Sequence, residues 1–127
     1  EFFSINRTAL TLRPTEAMIN WVNSVFPEDP IDYDDTFGHD DLDVFLIPDF
    51  DSIDEAEEWL QKNCEPFLRY ALNDWCTDEG EWPKPLSWAL FERFLEYSLQ
   101  TVVVDTVDEE YDEDFNEEDF FEDFNEN

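Results

Sequence analysis

Gly38 and Gly80 are the only glycines in the 127-residue sequence. A loop that cradles phosphate needs backbone able to close around an anion, so this scarcity counts against nucleotide binding. Positive charge is equally scarce. Arg7, Arg13, Lys62, Arg69, Lys84 and Arg93 are the basic side chains, too few to follow a nucleic-acid backbone. Cysteine is limited to Cys64 and Cys76. Both sit in a helical pattern, where a separation of twelve residues spans roughly 18 Å, too far for a disulfide. Reduced thiols and a cytoplasmic setting are therefore expected. No apolar run approaches the roughly 18 residues of a membrane span, and no signal peptide is visible.

Catalytic patterns are missing as well. The sequence contains no HExxH, CxxC, GxSxG or glycine-rich phosphate loop, and these are the arrangements that carry metal, thiol, acyl and phosphate chemistry. The single histidine, His39, lies in "GHDDLD" (residues 38–43). One imidazole among aspartates reads as a solvated loop residue rather than an acid–base pair. "DFDSIDEAEE" (residues 49–58) offers alternating oxygen ligands. Its spacing lacks the glycine and glutamate that a calcium loop requires, and it reads instead as a capped helix start. Neither catalytic residues, a metal nor a cofactor is expected, and the chain reads as a non-enzyme.

What the sequence has in quantity is carboxylate. Thirty-six acidic residues against six basic ones give a net charge of −30. From Asp105 onward, 13 of 23 residues are acidic and none is basic, leaving the first 104 residues with 23 acidic and six basic, a net of −17. The folded part is therefore acidic in its own right. Such a field repels nucleic acid and anionic membrane and attracts basic proteins. The 42% hydrophobic content is enough for one compact core.

Local patterns predict an α+β fold in the order β-α-β-α-α-β, a small three-stranded sheet covered by helices. Residues 3–12 alternate and read as the first strand. Thr15 is the N-cap of a helix running to Pro27, with Ala17, Met18, Trp21, Val22 and Val25 at helical spacing. "VFLIP" (residues 44–48) reads as a fully buried strand. "SIDE" (residues 52–55) is a capping box opening a long helical stripe that Pro66 kinks or divides in two. A third helix begins near Pro85 or Leu86 and buries Leu90, Phe91, Phe94 and Leu95. "TVVVDTV" (residues 101–107), almost wholly β-branched, reads as the clearest strand. The domain is placed at residues 1–107 and a flexible acidic tail at 108–127.

The tail interleaves rings with charge. Tyr111, Phe115, Phe120, Phe121 and Phe124 stand among Asp108, Glu109, Glu110, Asp112, Glu113, Asp114, Glu117, Glu118, Asp119, Glu122 and Asp123. "DFNE" occurs twice, at residues 114–117 and 123–126. No single helical face collects the rings and no strict alternation forms. A solubility tail gains nothing from five aromatics, whereas fold-on-binding recognition uses rings as anchors and acids for steering. Charges spaced along a chain with exposed rings present to a basic protein what DNA presents. The tail residues, with Asp32, Asp34, Asp35, Asp40 and Asp41 of the acidic loop, are the candidate partner-binding residues.

"SINRTALTLRPTEAMINWVN", "VFLIPDFDSIDEAEEWL" and "LNDWCTDEGEWPKPLSWALFERFLEY" together resemble small bacterial proteins of uncharacterised function over about residues 3–104, which implies no activity or site residues. The tail resembles the acidic, Phe/Tyr-containing segments of histone chaperones. The expected function is a binding protein that occupies the basic surface of a nucleic-acid-binding protein, as a DNA-mimic inhibitor does. Two alternatives stay open: an immunity protein or antitoxin that neutralises a basic nuclease, and a bacterial α+β protein whose acidity serves solubility, with an undetected enzymatic pocket.

Overall fold

The computed structural model describes residues 2–36 and 42–107, without the side chains of residues 35 and 36. The fold is α+β. Strands β1 (Phe3–Ile5) and β2 (Arg7–Pro14) lead into helix α1 (Glu16–Val25) and a single helical turn, α2 (Tyr33–Thr36). Strand β3 (Asp43–Pro48) precedes helices α3 (Ile53–Lys62) and α4 (Cys64–Trp75) and a short 3₁₀ turn at Glu79–Glu81. Helix α5 (Trp88–Phe94) runs directly into β4 (Leu95–Gln100), and β5 (Val103–Asp105) follows. The predicted tail lies outside the described residues.

Two antiparallel sheets replace the single predicted one. The larger has the order β3-β2-β4, and the smaller pairs β1 with β5. The predicted first strand is broken at Asn6, so its two parts join different sheets. The strand predicted over residues 101–107 contributes only three strand residues, paired one to one with the three of β1. The strand that was missed is β4. "LEYSLQ" alternates buried Leu95 and Leu99 with exposed Glu96 and Gln100, but no turn residue separates it from α5. The helix ends as the backbone of Leu95 turns extended, at φ −126° and ψ 131°. The third helix also starts later than expected, at Trp88 with Ser87 as its N-cap.

Register fixes which side of the larger sheet is covered. Leu10 pairs with Phe45 and Leu99, and Thr8 with Ile47, so these side chains share one face. Leu10, Leu99, Ile47 and Thr8 are all buried. Phe45 meets Phe67 and Tyr70 of α4 edge-on, at centroid distances of 5.4 and 5.1 Å. Trp88 stacks on Phe91 at 5.0 Å, and Tyr97 packs against both rings at 5.7 Å. The aromatic share thus closes the layer between helices and sheet. The opposite face carries Ala9 and Thr11 of β2 beside Val44 and Leu46 of β3, of which Val44 is 60% and Leu46 51% exposed. "VFLIP" is therefore not a fully buried strand. It is an edge strand with one covered and one open side.

The helix boundaries follow their caps. Thr15 Oγ1 accepts from the Met18 N–H at 3.4 Å and donates to the Arg93 carbonyl at 2.6 Å, tying the start of α1 to the end of α5. The Ser52 hydroxyl accepts from the Glu55 N–H, as the capping pattern predicts. At Asn63 the long stripe divides into two helices rather than kinking. Its side-chain amide donates to the Trp59 carbonyl at 2.8 Å. Pro66 then sits in the first turn of α4, where a missing N–H breaks no helical bond. Cys64 and Cys76 are both free and buried. Burial, opposed by a backbone hydrogen bond and helped least by the Glu65 carboxylate, pushes the Cys64 thiol above its ordinary pKa. No helix of the described residues is long and apolar enough to cross a membrane.

Candidate functional site

Charge on the folded residues lies entirely at the surface. Every carboxylate whose side chain is described is exposed or half-buried. Arg13 pairs with Glu96, and Arg69 bridges Glu65 and Glu79 at 3.0 Å each. Six basic residues cannot neutralise thirty-six acidic ones, and exposed pairs such as these contribute only about 0–1 kcal/mol each. The pairing positions side chains and leaves the field negative.

Of the residues expected to bind a partner, the structure places Asp32 and Asp34 fully at the surface. Asp32 Oδ1 accepts from the Asp34 N–H at 3.0 Å and so starts the turn α2. The segment leading into them is clamped by Asn23. Its Nδ2 donates to the Ile31 carbonyl at 3.0 Å and its Oδ1 accepts from the Ile31 N–H at 2.8 Å. Asp32 and Asp34 line a shallow depression of about 390 Å³ with Glu16, Asn20 and Tyr33. Asp35 belongs to α2. The side chain of Asp35, residues Asp40 and Asp41, His39, and the whole of 108–127 lie outside the described residues.

The structure also assembles a site that sequence reasoning missed. Asp74, Asp78 and Glu81 rim a depression of about 430 Å³ whose wall includes Phe26 and Trp75. Phe26, the C-cap of α1, is 45% exposed. The loop beneath is held by two indoles: Trp82 Nε1 donates to the Cys76 carbonyl at 2.8 Å, and Trp21 Nε1 to the Glu81 carbonyl at 3.1 Å. Asp78 Oδ1 accepts from the Gly80 N–H at 3.0 Å, which shapes the 3₁₀ turn. Arg69 draws Glu79 away toward α4. Carboxylates around an aromatic wall suit a lysine or arginine side chain, which gains both charge pairing and ring contact. The available signal was the density of acids between Trp75 and Trp82, which reads in sequence only as loop.

Among the described residues no group of three or more histidine, cysteine, aspartate or glutamate side chains is arranged to hold a metal ion. No family model matches the sequence, and no curated protein or solved structure matches it.

Proposed function

We propose that this chain is a non-enzymatic acidic binding protein that occupies the basic surface of a nucleic-acid-binding protein, as a DNA mimic does. The observation that carries this reading is the excess of carboxylates over cations, thirty-six against six, with every described carboxylate at the surface. Burying uncompensated charge is costly, so surface placement is expected of any acidic protein. The excess is what calls for a partner, because self-repulsion of this size costs stability and a merely soluble protein needs far less. The tail's rings, set among acids, supply anchors that charge alone lacks.

A second reading is favoured by the acid-rimmed depression at Phe26 and Trp75. A compact cluster of this kind suits an immunity protein or antitoxin that plugs one nuclease active site. One experiment separates the two. The full chain is immobilised in host lysate at about 0.05 and 0.5 M salt, bracketing weak and strong screening, and challenged with duplex DNA. Mimicry predicts that several nucleic-acid-binding proteins are retained and that DNA releases them. A single nuclease retained at both salts supports the plug, whether or not DNA releases it, and retention of no nuclease or other nucleic-acid-binding protein overturns both.

The rings are tested on the same captured partner. Replacing Phe115, Phe120, Phe121 and Phe124 by Ser leaves charge unchanged. If even one ring is buried on binding, affinity falls by about tenfold or more and the deficit persists at high salt. Equal affinity for the two proteins across the salt range overturns the anchor role.

A further inference from the structure

We propose that the outer edge of β3 is a strand-addition site for an extended, basic segment of the protein partner. The proposal rests on the acidic-binder reading above and specifies how such a partner is held.

Strand β3 pairs with β2 on one side only, and along residues 44–47 no described strand pairs with its other side. An open edge presents backbone donors and acceptors, and proteins usually guard it with charge inside the strand. The two edges of this sheet differ in that respect. On its open face β4 carries Glu96, Ser98 and Gln100. Strand β3 carries Val44 and Leu46 there, both more than half exposed, and residues 44–47 include no charge. Its carboxylates stand just outside that apolar stretch, at Asp43 before it and at Asp49 and Asp51 beyond Pro48. The arrangement leaves the edge available and decides by charge which strand is admitted.

Charge also selects the occupant. A second copy brings a further −30 to the same carboxylates, so self-pairing is opposed. Nucleic acid offers no strand. A basic polypeptide meets both requirements, with main-chain bonds for affinity and alternate side chains for specificity. A residue added opposite Asp43 directs its side chain to the face covered by α4, because Asp43 shares the face of Phe45 and Leu12. At that end of the sheet Asp43, Tyr70 and Asp74 border a cavity of about 150 Å³. Burial first, and then the charges of Asp43 and Asp74, raise the Tyr70 phenol above its ordinary pKa, so both carboxylates act at this end of the sheet. The far end of β3 differs, since Arg7 stands opposite Pro48. The admitted strand therefore carries apolar residues on the Val44 and Leu46 side and its lysine or arginine at the Asp43 end.

The test uses the full chain and an eight-residue extended peptide with valine at the positions beside Val44 and Leu46, threonine between them, and lysine at the end that meets Asp43. A second peptide has the same side chains and charge but alternate backbone nitrogens methylated, which removes donors along one edge. Amide exchange of residues 44–47 and peptide affinity are read at about 0.2 M salt, where long-range attraction is largely screened. The expected result is slowed exchange at the outward β3 amides with the first peptide, and at least about tenfold weaker binding of the second. Leu46→Lys, at an exposed position, is expected to weaken the first peptide by a similar factor. Equal affinity for both peptides overturns strand addition. So does full protection of residues 44–47 in the free protein, which would place another segment on the edge, or protection that appears only with self-association. None of these results bears on capture of a nucleic-acid-binding protein and its displacement by duplex DNA, on which the acidic-binder reading stands or falls.

Discussion

The two sheets of this molecule are made from opposite materials. The small ribbon of β1 and β5 uses the most β-branched stretch of the sequence, yet it is three residues long and leaves Phe3 41% and Val104 43% exposed. The larger sheet includes "LEYSLQ", a mixture of leucine with polar residues, and buries Leu95 and Leu99 beneath helices. Strand propensity therefore did not decide where the main sheet forms. Cover did: a strand gains most from the side chains it packs against and from the water it excludes.

If cover is decisive, substitutions should sort by sheet. The largest effect is expected at Phe91, fully buried against Trp88 and Tyr97 over the larger sheet. Phe91→Ala should destabilise the fold by about 3–5 kcal/mol, measured by denaturant unfolding. A loss near 1 kcal/mol would mean that the covered face is loosely packed and that the comparison fails. A smaller and opposite effect is expected at Thr8, fully buried on the same face with no hydrogen-bond partner for its hydroxyl among the described residues. Thr8→Val keeps the branching and removes the stranded oxygen, so unfolding should become harder by about 1 kcal/mol. Destabilisation there would show that the hydroxyl is satisfied. The smallest effect belongs to the ribbon. Val104→Thr keeps the strand preference and alters an exposed side chain, so its cost should stay below about 0.5 kcal/mol. A cost above 1 kcal/mol would show that something covers the ribbon.

The same contrast explains what the sequence disclosed. Thr15, Ser52 and the division of the α3–α4 stripe were legible because caps and proline act locally, within three or four residues. The α+β class was legible for the same reason. Strand β4 was not, since its alternation begins at the residue after α5 with no glycine or proline between them. The burial of β3 was overestimated because an apolar run does not reveal whether a neighbour lies on one side or on both. At the candidate site, Asp32 and Asp34 were legible as surface charge. The grouping of Asp74, Asp78 and Glu81 with Phe26 was not, because Phe26 arrives from α1, some fifty residues away in sequence.

The two indole N–H groups that hold the loop between Cys76 and Glu81 have one more consequence. An acidic loop fastened by ion pairs would slacken as salt rises or as its carboxylates protonate, so its shape and its charge would change together. Trp82 and Trp21 grip main-chain carbonyls with donors that neither titrate nor respond to ionic strength. Beside the Asp78 carboxylate that caps the Gly80 N–H and the Arg69–Glu79 ion pair, the loop thus keeps two ties that do not depend on its charge. Salt can dim the field around Asp78 and Glu81 while those two ties hold.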